Sequence, residues 1–169
     1  RDIGVTGVQT CALPISVNCV GYMGKGIALQ FKQAFPANFK HYEAACHAGD
    51  LVPGKMMIHD NGALVNPRYI INFPTKRHWK GKSRIEDIES GLSALVADVQ
   101  RLGIRSIAVP PLGCGLGGLE WRVVRPMIEQ AFAGLPDVQV LLFEPAGVPE
   151  AKAMPVRTER PRMTPARAL

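Results

Sequence analysis

Two stretches of the sequence share one layout: a short apolar run, a glycine-dense loop, then a segment with helical periodicity. The first is Val17–Val20, then Gly21-Tyr22-Met23-Gly24-Lys25-Gly26, then a helix from Ile27 with Phe31, Ala34 and Phe35 on one face. The second is Ser106–Val109, then Pro110-Pro111 and the loop from Leu112 to Gly118, then a helix over Glu120–Ala133 that bends near Pro126. Strands that are apolar throughout rather than alternating are buried on both faces. Strands of that kind alternating with helices specify an α/β fold, here a three-layer α/β/α sandwich.

The rest of the chain agrees. Pro36 breaks the first helix, and a second carries Phe39, Tyr42 and Cys46 to a stop at Gly49. Lys55–Ile58 and Tyr69–Phe73 are strand-like, and Asp60-Asn61-Gly62 makes a turn. The clearest helix carries the stripe Ile85, Ile88, Leu92, Leu95, Val96, Val99 and Leu102, with Ser83 and Glu86 as a capping box and Gly103 at its end. Val138–Phe143 reads as the last core strand.

The ends read differently. Val5–Ile15 (VTGVQTCALPI) matches a one-frame translation of a sequencing-library adapter, and residues 1–16 show neither alternation nor helical period. They are expected to lie outside the domain, as a non-native leader that begins to give way near Val17. Residues 146–169 hold Pro149, Pro155, Pro161 and Pro165 and read as a tail or linker, which leaves residues 17–145 as the domain.

Composition excludes several classes. No apolar run approaches the roughly 20 residues needed to cross a bilayer. Cys11, Cys19, Cys46 and Cys114 form no CxxC pair, so neither zinc nor a disulfide framework is indicated, and a cytoplasmic, reducing setting is expected. No metal-ligand spacing occurs, and no cofactor is implied. His41, His47, His59 and His78 are scattered and read as surface residues. A net charge of +6 fits an anionic partner without naming one.

Both glycine-rich loops follow strands and open helices, where backbone N–H groups and a helix N-terminus suit an anion. Neither is a Walker loop: Gly24-Lys25-Gly26 lacks the GKS/T ending, and the second fits GxGxxG only loosely. Two such loops in one small domain are suited to clamping a diphosphate. A third segment, Asn72 to Arg84 (NFPTKRHWKGKSR), concentrates cations around Trp79 with no acid. It reads either as a solvated basic loop or as a nucleic-acid contact, with cations on phosphates and the indole on a base. A lysine there, at a cleft rim among other cations, can also serve as a nucleophile.

The segments VNCVGYMGKGIALQFK, NPRYIINFPTKRHWKGKSRIEDIESGL and PPLGCGLGGLEW resemble the macrodomain of the bacterial DNA ADP-ribosyl glycohydrolase antitoxins, the DarG family, over residues 17–145. The resemblance implies a macrodomain sandwich with a mixed central sheet and an enzyme that removes ADP-ribose from bases of single-stranded DNA. Its partner would be a DarT-type toxin, which attaches that ADP-ribose. Lys76 would be the catalytic lysine, attacking the anomeric carbon of the distal ribose, with Asn18 beside that ribose. Gly24, Lys25, Gly26 and Ile27 would form the first ligand loop; Pro111, Gly113, Cys114, Gly115, Leu116 and Gly117 would form the diphosphate loop. Arg77, His78, Trp79, Lys80, Lys82 and Arg84 would hold DNA.

Two departures stand out. The related deacylating macrodomains of vertebrates pair the lysine with an aspartate where this chain has Gly117, so a Lys–Asp pair is ruled out here. The opening strand with its adenine-binding Gly-Asp motif is also missing, displaced by the adapter-like residues. A non-catalytic ADP-ribose reader and a deacylase for ADP-ribosylated carboxylates or O-acetyl-ADP-ribose are the alternatives. Cys114 reads as a small filler rather than a nucleophile, and Trp121 as packing for the helix after the second loop.

Overall fold

A computed structural model describes residues 11–146. Five strands form one mixed sheet in the order β2-β3-β1-β4-β5. They are β1 (Cys11–Asn18), β2 (Met57–Asp60), β3 (Tyr69–Lys76), β4 (Ser106–Val109) and β5 (Gln139–Leu142). The helices are α1 (Gly26–Ala34), α2 (Pro36–His47), α3 (Ile85–Arg101) and α4 (Trp121–Phe132). Only β2 runs antiparallel, against β3; the other pairings are parallel. Among the described residues no helix is long and apolar enough to cross a membrane.

Alternate residues of the central strands feed two cores. Ile71 and Phe73 of β3 pack with Ile88, Leu92 and Leu95 of α3 and with Val124 and Ile128 of α4. Ile70 of β3 and Ile15 and Val17 of β1 face the other way, toward Tyr42 of α2 and Phe31 of α1. Helices therefore cover both sides of the sheet, as the apolar strands predict.

Most expected elements fall within a few residues of their sequence positions, and three differ instructively. First, residues 11–16, expected outside the domain, form the front part of β1 at the sheet's centre, with Ala12 and Ile15 almost fully buried. A strand covered on both faces need not alternate, so periodicity could not reveal it. Residues 1–10, and the tail from residue 147 onward, lie outside the described residues. Second, α3 begins after Arg84, and no side chain caps it; the Ser83 hydroxyl is buried without a partner, so the capping box does not form. Third, β5 is an edge strand that leaves Leu141 exposed, not a core strand.

One histidine was also misplaced by the sequence reading. His59 is buried on β2, its Nδ1 2.8 Å from that of His41 on α2. Its neighbours in β2, Met57 and Asp60, gave no periodicity by which a four-residue edge strand shows its inner face.

Candidate functional site

β1, β3 and β4 run parallel, so the loops that leave them gather at one edge of the sheet. The chain turns from β1 into α1 on one face, whereas β3 and β4 lead to α3 and α4 on the other. A crevice opens where such a sheet switches the side on which its helices pack, and ligands bind there. The pairing of β1 with β4 stops at Ala12 and Ile107, so the two strands part toward that edge.

Lys76 is the last residue of β3, and a register shift after Val17, which leaves Thr75 of β3 without an opposite residue, sets Asn18 opposite it. Lys76 Nζ donates to the Trp79 carbonyl at 3.5 Å. Partial burial, and then the charge of Lys82, pull the Lys76 amine below the usual lysine range. That shift raises the fraction of neutral amine, the form that attacks carbon.

Asn18 stands beside Lys76, but its amide is engaged in building the first loop. Its Oδ1 accepts from the backbone N–H of Val20 (3.0 Å) and Tyr22 (3.3 Å) and from the Tyr42 hydroxyl (2.9 Å), and its Nδ2 donates to the Tyr22 carbonyl at 2.7 Å. Asn18 thus shapes the turn that presents Gly24 to Ile27. Burial holds the Tyr42 hydroxyl protonated far above its ordinary range, so it acts there as a fixed donor.

In the first loop Tyr22 lies across Gly24 so closely that any side chain at that position would collide with its ring. The same ring meets Trp79 at a centroid separation of 5.3 Å, which ties this loop to the lysine segment. Gly26 takes a left-handed φ of +57° at the start of α1, where no acid sits in the first turn. Ile27 there is an apolar side chain left 53% exposed.

The second loop is folded by its own backbone. Cys114 N–H donates to Pro111 O, Gly118 N–H to Gly115 O and Leu119 N–H to Gly113 O, at 3.0 to 3.1 Å. The amides of Gly115, Leu116 and Gly117 have no backbone acceptor among the described residues, and are the ones an anion can take. Burial raises the Cys114 thiol pKa, and its Sγ lies 3.6 Å from Leu112 O, as suits a filler rather than a nucleophile. A side chain at Gly117 would run into the Ser83 hydroxyl and the Gly113 carbonyl, so the fold itself excludes an acid there. Trp121, at the start of α4, packs against the core, with its indole N–H unpaired.

The expected nucleic-acid contacts do not form one set. Arg77, His78, Trp79, Lys80, Lys82 and Arg84 are all exposed, with His78 stacked on Trp79 at 5.6 Å and the Lys80 amine 4.9 Å from the indole, but two of them are directed elsewhere. Arg77 is committed elsewhere: its Nε and Nη2 bind the buried carboxylate of Asp87 at 3.2 and 3.1 Å. Lys82 points back to the second loop, over Gly118. The sequence reading missed Tyr22 and Asp87; Tyr22 sits inside a motif read for its glycines, and the Arg77–Asp87 pairing depends on tertiary contact. No cluster of three or more His, Cys, Asp or Glu suited to a metal occurs among the described residues.

Comparison with known proteins bears on this arrangement directly. The macro domain family profile matches residues 16–128. The DNA ADP-ribosyl glycohydrolase of Thermus aquaticus is 50% identical over 157 residues, which is 93% of this chain and 44% of that protein. The chain therefore spans less than half the length of that curated relative. The solved macrodomain of Mycobacterium tuberculosis DarG is 49% identical, with a TM-score of 0.79 over 82% of this chain and 91% of that one. Thermosipho africanus DarTG, solved in complex with ADP-ribose, is 39% identical, with a TM-score of 0.70 over 82% of this chain and 39% of that one. With its mixed sheet and two glycine-rich loops in place, the chain belongs to the macro domain family, alongside the DarG macrodomains.

Proposed function

We propose that this chain is an ADP-ribosyl glycohydrolase that releases ADP-ribose from bases of single-stranded DNA. The observation that carries the reading is the position of Lys76: at the end of a central strand, opposite Asn18, with its amine pKa lowered and the first glycine-rich loop leaving the adjacent strand β1. The backbone amides of Gly115 to Gly117 take the diphosphate, and the turn from Gly24 to Ile27 closes over the ribose side of the ligand. The neutral Lys76 amine attacks the anomeric carbon of the distal ribose. The bond to the base breaks, its electron pair goes to the base nitrogen, and that nitrogen takes, relayed by water, the proton that the newly ribosylated amine gives up. A second water then cleaves the ribosyl–lysine bond, releasing ADP-ribose and restoring the amine.

His78, Trp79, Lys80 and Arg84 form the face that receives the strand, with cations for phosphates and the indole for a neighbouring base. The similarity to the glycohydrolases and to the transferase–glycohydrolase fusion of Thermosipho africanus, 38% identical over 170 residues, supports an antitoxin role opposite a DarT-type toxin. A cytoplasmic setting follows from a DNA substrate.

The test is release of ADP-ribose from an ADP-ribosylated oligonucleotide by wild type and Lys76→Ala. Release by wild type and its loss, by about a thousandfold, in the variant is expected, because nucleophile removal abolishes the covalent route. Equal rates would discard Lys76 as nucleophile. Binding of ADP-ribose by both proteins without release would make the chain a reader.

A further inference from the structure

Lys82 was grouped by sequence with the nucleic-acid cations, yet its position is different from theirs. Gly118 ends the second glycine-rich loop with a left-handed φ of +78°. A Cβ built on it would lie 3.3 Å from Lys82 Cδ and 3.4 Å from Lys82 Nζ. The lysine stem therefore lies along the loop, and the amine sits beside its last glycine. The backbone secures this placement on both sides: Ser83 N–H donates to Gly117 O at 3.0 Å, and Gly81 N–H to His78 O at 3.0 Å. Among the described residues no carboxylate pairs with Lys82, as holds for the other lysines, so its amine is open to an anion from outside the chain.

A second observation points into the same place. The Ser83 hydroxyl is buried, without a hydrogen-bond partner, directly beneath Gly117. A cation without a counter-charge and a polar group without a partner converge on a loop whose middle amides are free. That combination is the chemistry of an anion site built from two segments.

We propose that Lys82 is a diphosphate-binding cation of the cleft, closing the second glycine-rich loop from the β3–α3 side, and not part of the surface that receives the DNA strand. This rests on the ADP-ribose reading above. Lys82 also stands within electrostatic reach of Lys76 and helps hold that amine below its ordinary pKa. One ammonium thus neutralises the diphosphate and keeps the nucleophile neutral, a role that an acid near Lys76 would reverse.

The experiment compares wild type, Lys82→Gln, Lys82→Arg and Lys80→Gln by calorimetry with four probes: ADP-ribose, adenosine, inorganic pyrophosphate and an unmodified single-stranded oligonucleotide. Lys82→Gln should bind ADP-ribose and pyrophosphate about tenfold more weakly, as expected for loss of one partly exposed charge-assisted contact. Its affinity for adenosine, and for the oligonucleotide at every salt concentration, should match wild type. Lys82→Arg should restore most of the loss, and Lys80→Gln should weaken the oligonucleotide alone. In turnover, the acid limb of kcat/KM for Lys82→Gln should move to higher pH, because Lys76 loses a neighbouring positive charge. ADP-ribose affinity within twofold of wild type, an equal loss for adenosine, or a loss for the oligonucleotide would each overturn the proposal. Failure of the ADP-ribose reading looks different: wild type would not bind ADP-ribose, while a Lys82-dependent affinity for pyrophosphate would remain.

Discussion

The Arg77 guanidinium binds the Asp87 carboxylate through two nitrogens, at 3.1 and 3.2 Å, and so staples the loop after the candidate catalytic lysine to the first turn of α3. The two partners are unequally placed: the arginine side chain is 59% exposed and the aspartate 7%. Removing Arg77 strands a buried charge, whereas removing Asp87 leaves a guanidinium that water can solvate. Arg77→Ala should therefore lower Tm more than Asp87→Ala. Thermal unfolding of both variants checks the order, and the reverse order would mean that the pair does not anchor the loop.

Gly91 on α3 faces the Phe73 ring of β3 so closely that a Cβ would collide with it. Alanine gains about 1 kcal/mol over glycine in a helix interior. Overpacking a tight core costs about 1–3 kcal/mol, and Phe73 is fully buried with nowhere to move. The second effect should win, so Gly91→Ala is expected to destabilise by about 1 kcal/mol. Urea denaturation measures it, and pairing the change with Phe73→Leu should recover part of the loss.

Gly117→Asp introduces the acid that the resemblance to deacylating macrodomains leads one to look for, and should not create a working Lys–Asp pair. Its Cβ would meet the Ser83 hydroxyl and the Gly113 carbonyl, so the second loop must move. ADP-ribose affinity should fall by about tenfold or more, since the loop amides lose their alignment. A variant that binds as wild type does and gains deacylase activity would contradict the collision.

The His41–His59 contact makes stability depend on pH. Burial, and then the charge of His41, push the His59 pKa below its ordinary value of 6.5, against smaller opposing effects of Asp60 and Asn61. The unfolded chain takes up a proton as pH falls through about 6.5, while the folded chain resists it until its own lower pKa. Stability is therefore full above that range and declines below it. Tm should drop between pH 7.5 and pH 5, and His59→Asn should flatten that slope even if it lowers Tm overall.

What the sequence made legible was whatever local pattern controls. The stripe of α3, the break at Pro36 and the glycines of both loops are local, and the elements they mark are where they were expected. The role given to Lys76 rests on motif resemblance; the strand order, which sets it beyond the first loop on the side away from the second, was not readable from local pattern. Illegible were the features set by partners distant in the chain. Ser83 fits a capping box by spacing, yet its hydroxyl is turned beneath Gly117. Arg77 and Lys82 look like neighbours in one basic run, yet Asp87 takes one and the second loop takes the other. Residues 11–16 show no alternation because both faces of β1 are covered, and the strand that pairs along them, β3, comes from far along the chain.

The place of β1 has a kinetic consequence. Ala12 pairs with Tyr69, and Cys11 with Ser106, so the central strand finds its second neighbour only after most of the described chain has been made. Such distant parallel pairings close large loops before any contact rewards them, and they slow folding. During synthesis the segment carrying the first ligand loop must wait, unpaired on one edge, for β4 to arrive. The crevice is thus completed late, with only the edge strand β5 still to join, and a chain stalled before Ser106 holds the lysine but has no place for the diphosphate.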